Sequence, residues 1–270
     1  MRILVTGAGG MLGREIVAAL DGHEVLAHDR NVGDLRDREQ VESLLAGVHA
    51  VVHAAALPSP LSAAEQVVFG NNVDAAFQLL DAAGRAGVKR IVYVSSLSAL
   101  GLAWSTRPVS PLFAPVTERH PYLGDDVYGL SKLVGERIAE TVSRRWGIEV
   151  ISLRFPFIGT GDRLRQQLDY VHGDPGADRK ALWSWIDTRD AVRAVIAALT
   201  ARVEGYALVN VAAPDTTSLV PTSELMRRFH PSTRLDGPLD GFAVPFSLRL
   251  SRELLDFTPV HAWRPTDGGT

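Results

Sequence analysis

Tyr128-Gly129-Leu130-Ser131-Lys132 sets a phenol and an ammonium four residues apart, which on a helix is one face. Tyrosine, with a pKa of about 10, is a poor base at neutral pH. Bringing it to about 7 requires about 4 kcal/mol of preference for the phenolate, at about 1.4 kcal/mol per unit. One cation about 4 Å away supplies about that much at an effective dielectric of about 20. The pair can therefore remove and return a hydroxyl proton as general base and acid. The chain has three lysines beside twenty-five arginines, so a lysine at this spacing from a tyrosine is an infrequent coincidence.

A second motif lies at the N-terminus. Thr6-Gly7-Ala8-Gly9-Gly10-Met11-Leu12-Gly13 follows the apolar run Ile3-Leu4-Val5 and opens an amphipathic stretch. Glycines at 7, 10 and 13 let backbone N–H groups approach a pyrophosphate, with the N-terminus of the next helix adding partial positive charge. The strand–glycine–helix context makes this a dinucleotide cradle built on Gly7, Gly10, Met11, Leu12 and Gly13. Asp29 ends the second apolar run, at the separation expected of a carboxylate on the adenosine ribose. It favours NAD; Arg30 beside it could instead hold a 2′-phosphate, which keeps NADP open.

These groups need a frame. Apolar runs at Arg2 to Val5, Glu24 to His28, Ala50 to Ala54, Arg90 to Ser95 and Ile148 to Phe155 predict strands. Helical stretches alternate with them at Met11 to Leu20, Asp37 to Leu45, around Val73, Ala76, Phe77 and Leu80, and at Val127 to Arg145 with Val134, Ile138 and Val142 aligned. The order predicts an α/β fold, a doubly wound parallel (Rossmann) sheet over residues 1–155. A small C-terminal substrate domain is expected over 156–270. Part of it, about 185–212, holds a helix from Asp187 to Ala201 and a strand from Tyr206 to Val211, and returns to pack on the first domain. The proline-bearing stretch Ser98 to Pro121 reads as a long loop near the site.

Together these residues resemble the extended short-chain dehydrogenase/reductases, the NAD-dependent epimerase/dehydratase group. The cradle is similar to that family's fingerprint. Asp34-Leu35 resembles its adenine-contacting pair, Ala54-Ala55-Ala56 its run after the strand lining the cofactor, and Asn72-Val73 the start of its next helix. Ser95-Ser96, five residues before Gly101, resembles its catalytic serine strand. Trp185-Ile186-Asp187, Asn210-Val211 and Leu254 to Pro259 resemble its later features. The resemblance implies that Ser96 hydrogen-bonds the substrate oxygen, Tyr128 trades its proton and Lys132 holds the nicotinamide ribose, during hydride transfer. It also implies a homodimer paired through the helices at Val73 and Tyr128.

Departures from the family narrow the chemistry. Its dehydratases carry an acidic pair where this chain has Leu97 and Ser98, which argues against dehydration. Its sugar-nucleotide enzymes carry Arg-x-x-Asn where this chain reads Arg154-Phe155-Pro156-Phe157, so the amide contact is missing. The compact uronate-dehydrogenase branch is the nearer likeness, and it places a substrate-holding cation near Arg179 or Lys180. Ser96, Leu97, Phe157, Arg179 and Lys180 are thus the candidate substrate contacts. A dehydrogenase of a small sugar or sugar acid is expected; a sugar-nucleotide epimerase and a non-catalytic dinucleotide binder are the alternatives.

Composition excludes other classes. Cysteine is absent, which removes disulfides, thiolate metal sites and a cysteine nucleophile. The eight histidines show no metal-ligand spacing, so no metal is expected. A net charge of −3 gives no basic field for nucleic acid or an anionic membrane. No apolar run nears the roughly 18 residues of a membrane span, and a soluble cytoplasmic protein is expected.

Overall fold

A computed structural model describes residues 1–265. The first strand and helix, β1 (Arg2–Thr6) and α1 (Met11–Ala19), are followed by β2 (Glu24–His28), α2 (Arg38–Leu44), β3 (Ala50–His53) and α3 (Glu65–Arg85). Next come β4 (Arg90–Ser96), β5 (Phe113–Ala114), α4 (Val127–Trp146) and β6 (Glu149–Phe155). The remaining chain forms β7 (Phe157–Ile158), α5 (Gly161–Gly173), β8 (Trp185–Ile186), α6 (Thr188–Thr200), β9 (Tyr206–Asn210), α7 (Thr222–Phe229), β10 (Arg234–Leu235) and α8 (Arg249–Leu255). Each strand and bounded helix expected from the apolar pattern lies within one residue of its observed ends.

The main sheet has six parallel strands in the order β2-β1-β3-β4-β6-β9. The chain leaves β1 toward β2 and then crosses back to β3 on the other side. The connections leaving the C-terminal ends of the paired strands β1 and β3 therefore run in opposite directions, and such a switch point is where α/β sheets bind ligands. Helices cover both faces of the sheet. Ile16 of α1, Ala194 and Val195 of α6 and Leu255 of α8 pack with Val5, Val52 and Leu153 in one core. Val41 of α2, Leu79 and Leu80 of α3 and Ala139 of α4 pack with Leu4, Val51 and Ile91 in the other.

Asp37, Asp126 and Asp187 start α2, α4 and α6 by accepting hydrogen bonds from first-turn amides. The Asp126 cap sits directly before the Tyr128 turn, its Oδ1 2.6 Å from Gly129 N. Asp126→Ala should cost about 1 kcal/mol of stability, read by denaturant melts, with the loss absent in Asp126→Ser.

The proline-bearing segment is less bare than expected. It holds a 3-10 turn over Leu97–Leu100 and the short strand β5, which pairs in parallel with β10. The exposed faces of α3 and α4 also differ from expectation. Phe77 is 47% exposed, and Val134 and Ile138 are only half-buried. The deeply buried face of α4 instead consists of Tyr128, Ser131, Lys132, Gly135, Glu136 and Ala139.

Candidate active site

The glycine turn closes tightly on itself. Gly7 takes φ +72°, and a Cβ there would sit 2.7 Å from Ala55 N. A Cβ on Gly13 would sit 2.0 Å from the Gly7 carbonyl oxygen. α1 has neither a side-chain cap nor an acidic residue in its first turn, so its leading amides remain open to an anion. Ala54, Ala55 and Ala56 lie against this turn at the end of β3, half-buried. Met11 is exposed and Leu12 points into the core. The backbone here fits a pyrophosphate at the switch point.

Asp29 stands at the end of β2, its Oδ2 accepting from Gly9 N at 3.1 Å and Oδ1 from Asn31 N at 3.3 Å. The carboxylate is thereby aimed across the glycine turn, where a ribose diol would lie. Arg30 beside it is exposed. Asp34 is paired with Arg36, which grips it at 2.6 Å and holds its pKa down to about 2. Leu35 is buried in the core. Asn72 has both ends of its amide occupied. Oδ1 accepts from Leu57 N at 2.8 Å, and Nδ2 donates to Leu57 O and Ser131 Oγ. Ser131 Oγ in turn donates to the Tyr128 carbonyl. Asn72 thus ties the segment after β3 to the Tyr128 turn.

The candidate acid–base residues gather at the C-terminal part of β4. Ser96 ends β4, its Oγ donating to Ser98 Oγ and accepting from Ser98 N, both at 3.1 Å. Tyr128 is buried, which pushes its phenol up to about 12, and a hydrogen bond with Ser96 pulls in the opposite direction. Lys132 is buried as well, its Nζ donating to Val94 O at 3.0 Å. Burial lowers the ammonium to about 8. The expected lowering of Tyr128 by Lys132 is therefore not found here. Desolvation disfavours both charged forms, and the ammonium is directed at a strand carbonyl. His53, buried and bonded to Thr6 Oγ1 at 2.8 Å, is held near 3 and stays neutral.

The other substrate candidates are dispersed. Leu97 is buried in the C-terminal core. Phe157 is half-buried, with the Arg163 guanidinium 4.7 Å from its ring. Arg179 donates to Gly176 O at 2.7 Å and Lys180 to Ser105 O at 2.6 Å, and neither hydrogen-bonds Ser96, Tyr128 or Lys132. Trp183 and Trp185 are wholly buried packing residues. Sequence reasoning did not single out Glu136, which accepts from Ser95 Oγ and from both Nε and Nη2 of Arg154. Its place one helical turn after Lys132 was the available signal. Among the described residues no cluster of potential metal ligands exists, and no helix is long and apolar enough to cross a membrane.

Residues 3–212 match the model of the NAD dependent epimerase/dehydratase family. The chain belongs to this family. Among its relatives is an L-arabinose 1-dehydrogenase (NAD(P)(+)) of Haloferax volcanii, 30% identical over 241 residues that span 84% of this chain and 93% of that one. A uronate dehydrogenase of Pseudomonas putida is 30% identical over 231 residues, 80% of this chain and 78% of the relative. The crystal structure of a short-chain dehydrogenase/reductase superfamily protein from Agrobacterium tumefaciens with bound NAD superposes with a TM-score of 0.74 at 28% identity, covering 97% of this chain and 93% of that one. As a member of the epimerase/dehydratase family, this chain is an NAD-dependent enzyme, a dehydrogenase or an epimerase.

Proposed function

We propose that the protein is a dehydrogenase of a small sugar or sugar acid, oxidising a hydroxyl to a carbonyl or running the reverse. The observation that carries this is that Ser96 ends β4 next to the buried Tyr128, while Lys132, on the same face of α4, donates to Val94 of that strand. The printed activities of the arabinose and uronate dehydrogenase relatives support the substrate class. Phe157, where sugar-nucleotide enzymes of the family carry asparagine, supports a substrate without a nucleotide.

When bound, the dinucleotide supplies the hydride acceptor or donor. Ser96 donates to the substrate oxygen, a preorganised donor where charge develops. Tyr128, protonated at neutral pH, delivers its proton to that oxygen in reduction. In oxidation it receives the hydroxyl proton, which requires added positive charge near the phenol; Lys132, four residues on along the same buried helix face, is the group in the chain assigned to supply it. Gly7, Gly10, Met11, Leu12 and Gly13 hold the pyrophosphate, and Ala54 to Ala56 line the opposite wall. Residues 1–155 form the dinucleotide domain, and 156–270, of which 266–270 lie outside the described residues, supply the substrate side, apart from the segment that returns to the sheet.

Purified protein, given NAD or NADP and a panel of aldoses and uronates, should produce NADH or NADPH with at least one. Isomerised nucleotide sugar without net NADH would replace this reading with an epimerase. NAD binding without turnover of any sugar substrate would replace it with a dinucleotide binder.

Asp29 sets the cofactor preference, because a 2′-phosphate would meet its carboxylate with only exposed Arg30 to offset it. Asp29→Ser should raise the NADP-to-NAD ratio of kcat/KM by about tenfold, equivalent to about 1.4 kcal/mol.

The half-exposed stripe of Phe77, Val134 and Ile138, flanked by Asp81, Arg137 and Arg145, fits a second copy of this chain packed α3 and α4 against their equivalents. Sedimentation should give a dimer, and Phe77→Glu should shift it to monomer without unfolding it. A wild-type monomer at assay concentration would refute the pairing.

A further inference from the structure

We infer that Glu136, clamped between Ser95 and Arg154, is a positioning residue that fixes Lys132 and Ser96 relative to each other and holds a negative charge beside the Lys132 ammonium. The inference rests on the catalytic reading of Ser96, Tyr128 and Lys132 given above.

Three observations carry it. First, the clamp joins the elements that bear those groups. Glu136 lies on α4 one turn beyond Lys132, and Ser95 on β4 immediately precedes Ser96. Ser95 Oγ donates to Glu136 Oε1 at 2.6 Å, while Arg154 on β6 donates Nε to Oε1 at 2.8 Å and Nη2 to Oε2 at 2.7 Å. Helix and strands are thereby pinned at one point, at the residue that precedes Ser96 in the chain. Gly135 allows the close approach, since a Cβ there would sit 2.0 Å from the Tyr93 hydroxyl.

Second, the pair is expensive for a merely structural role. Both side chains are only 3% exposed. An apolar pair of similar volume often stabilises a fold as well as a buried ion pair does.

Third, the charges around Lys132 are unbalanced without it. On its own helix the ammonium has Tyr128 and Glu136; β3 presents neutral His53, β4 presents Tyr93 with its ring centroid 5.4 Å away, and β9 brings Tyr206 toward Glu136. α3 contributes only the neutral Asn72 amide, bonded to Ser131. Arg154 on β6 carries positive charge. Glu136 is the group whose charge favours the ammonium, against a desolvation that disfavours it.

The scarcity of lysine makes a direct test available. Lysine labelled with ¹³C at Cε gives three signals, from Lys89, Lys132 and Lys180, assignable through Lys89→Arg and Lys180→Arg. In Glu136→Gln the Lys132 titration midpoint should fall by about one pH unit, a tenfold loss of proton affinity. The double variant Glu136→Gln/Arg154→Met removes both charges and leaves no unpaired guanidinium. There the midpoint should fall in the same direction by less. Glu136→Asp, which keeps the charge, should recover most of the wild-type midpoint. The basic limb of the kcat/KM profile should move down with the midpoint in each variant. A clamp that only stabilises the fold would lower the melting temperature and leave both midpoint and limb in place. An unchanged Lys132 midpoint in folded Glu136→Gln, or in the double variant should the single one not fold, overturns the inference. Absence of sugar turnover in the wild type would instead defeat the catalytic reading, and the lysine titration would still decide whether Glu136 acts on the ammonium.

Discussion

Tyr128→Phe should reduce kcat by about 10³-fold, within the range a positioned acid–base contributes, while NAD affinity stays close to wild type. The substitution removes one oxygen from a side chain whose ring is otherwise buried packing. The fold has little reason to change. Tyr128 meets Ser96 through that oxygen alone, and the residues offered to the dinucleotide phosphates lie on the β1–α1 turn, far along the chain. The prediction therefore separates binding from chemistry. It is measured by NADH titration of the folded variant beside steady-state kinetics with the substrate that the wild type turns over. Near-normal turnover would mean that the proton leaves by another route and that the Ser96–Tyr128–Lys132 assignment is wrong. A parallel collapse of NAD affinity would point to a structural role for the phenol.

What could be read from the chain follows from how local each signal is. The glycine turn was legible because strand, turn and helix are contiguous, and the chemistry lies in the backbone. Tyr128 and Lys132 were legible because helical spacing alone puts them on one face. Which face of α4 is buried was not. Counting apolar residues selects Val134 and Ile138, which are half-exposed, whereas the interior side carries Lys132, Gly135 and Glu136. Periodicity treats a charged residue as surface, and Glu136 is interior only because Ser95 and Arg154 arrive from strands 41 and 18 residues away. The ionisation of Tyr128 is hidden from the sequence for a related reason. Spacing gives the proximity of an ammonium but not the burial that penalises both charged forms. Beyond Arg154, α6 and β9 follow the apolar pattern, but two-residue strands such as β7 and β8 pair with partners distant in sequence. Arg179 and Lys180 accordingly turned out to be bonded to carbonyls of Gly176 and Ser105, contacts that no local pattern encodes.

The same distinction governs Gly13→Ala, the change expected to be most damaging to cofactor binding. The added Cβ would lie 2.0 Å from Gly7 O, 2.7 Å from Gly7 C and 2.9 Å from Ala8 Cα, all backbone atoms. No rotamer change relieves such contacts, so the turn and the start of α1 must separate. Overpacking of this kind costs about 1–3 kcal/mol. In a chain of this size that is a fall of several degrees in Tm, at about 2–4 °C per kcal/mol. The larger effect is on binding, because the displaced atoms carry the amides that would receive the pyrophosphate. Losing two hydrogen bonds to a charged group, at about 1.5–3 kcal/mol each, weakens NAD binding by about 100-fold or more. Gly22→Ala is the control. Gly22 has φ +81° with nothing within 4 Å of its Cβ position, so alanine there brings strain of about 1–2 kcal/mol without a clash. It should lower Tm comparably and leave NAD affinity unchanged. Calorimetric titration of both variants distinguishes the two costs, and wild-type NAD affinity in Gly13→Ala would remove the glycine turn from the cofactor site.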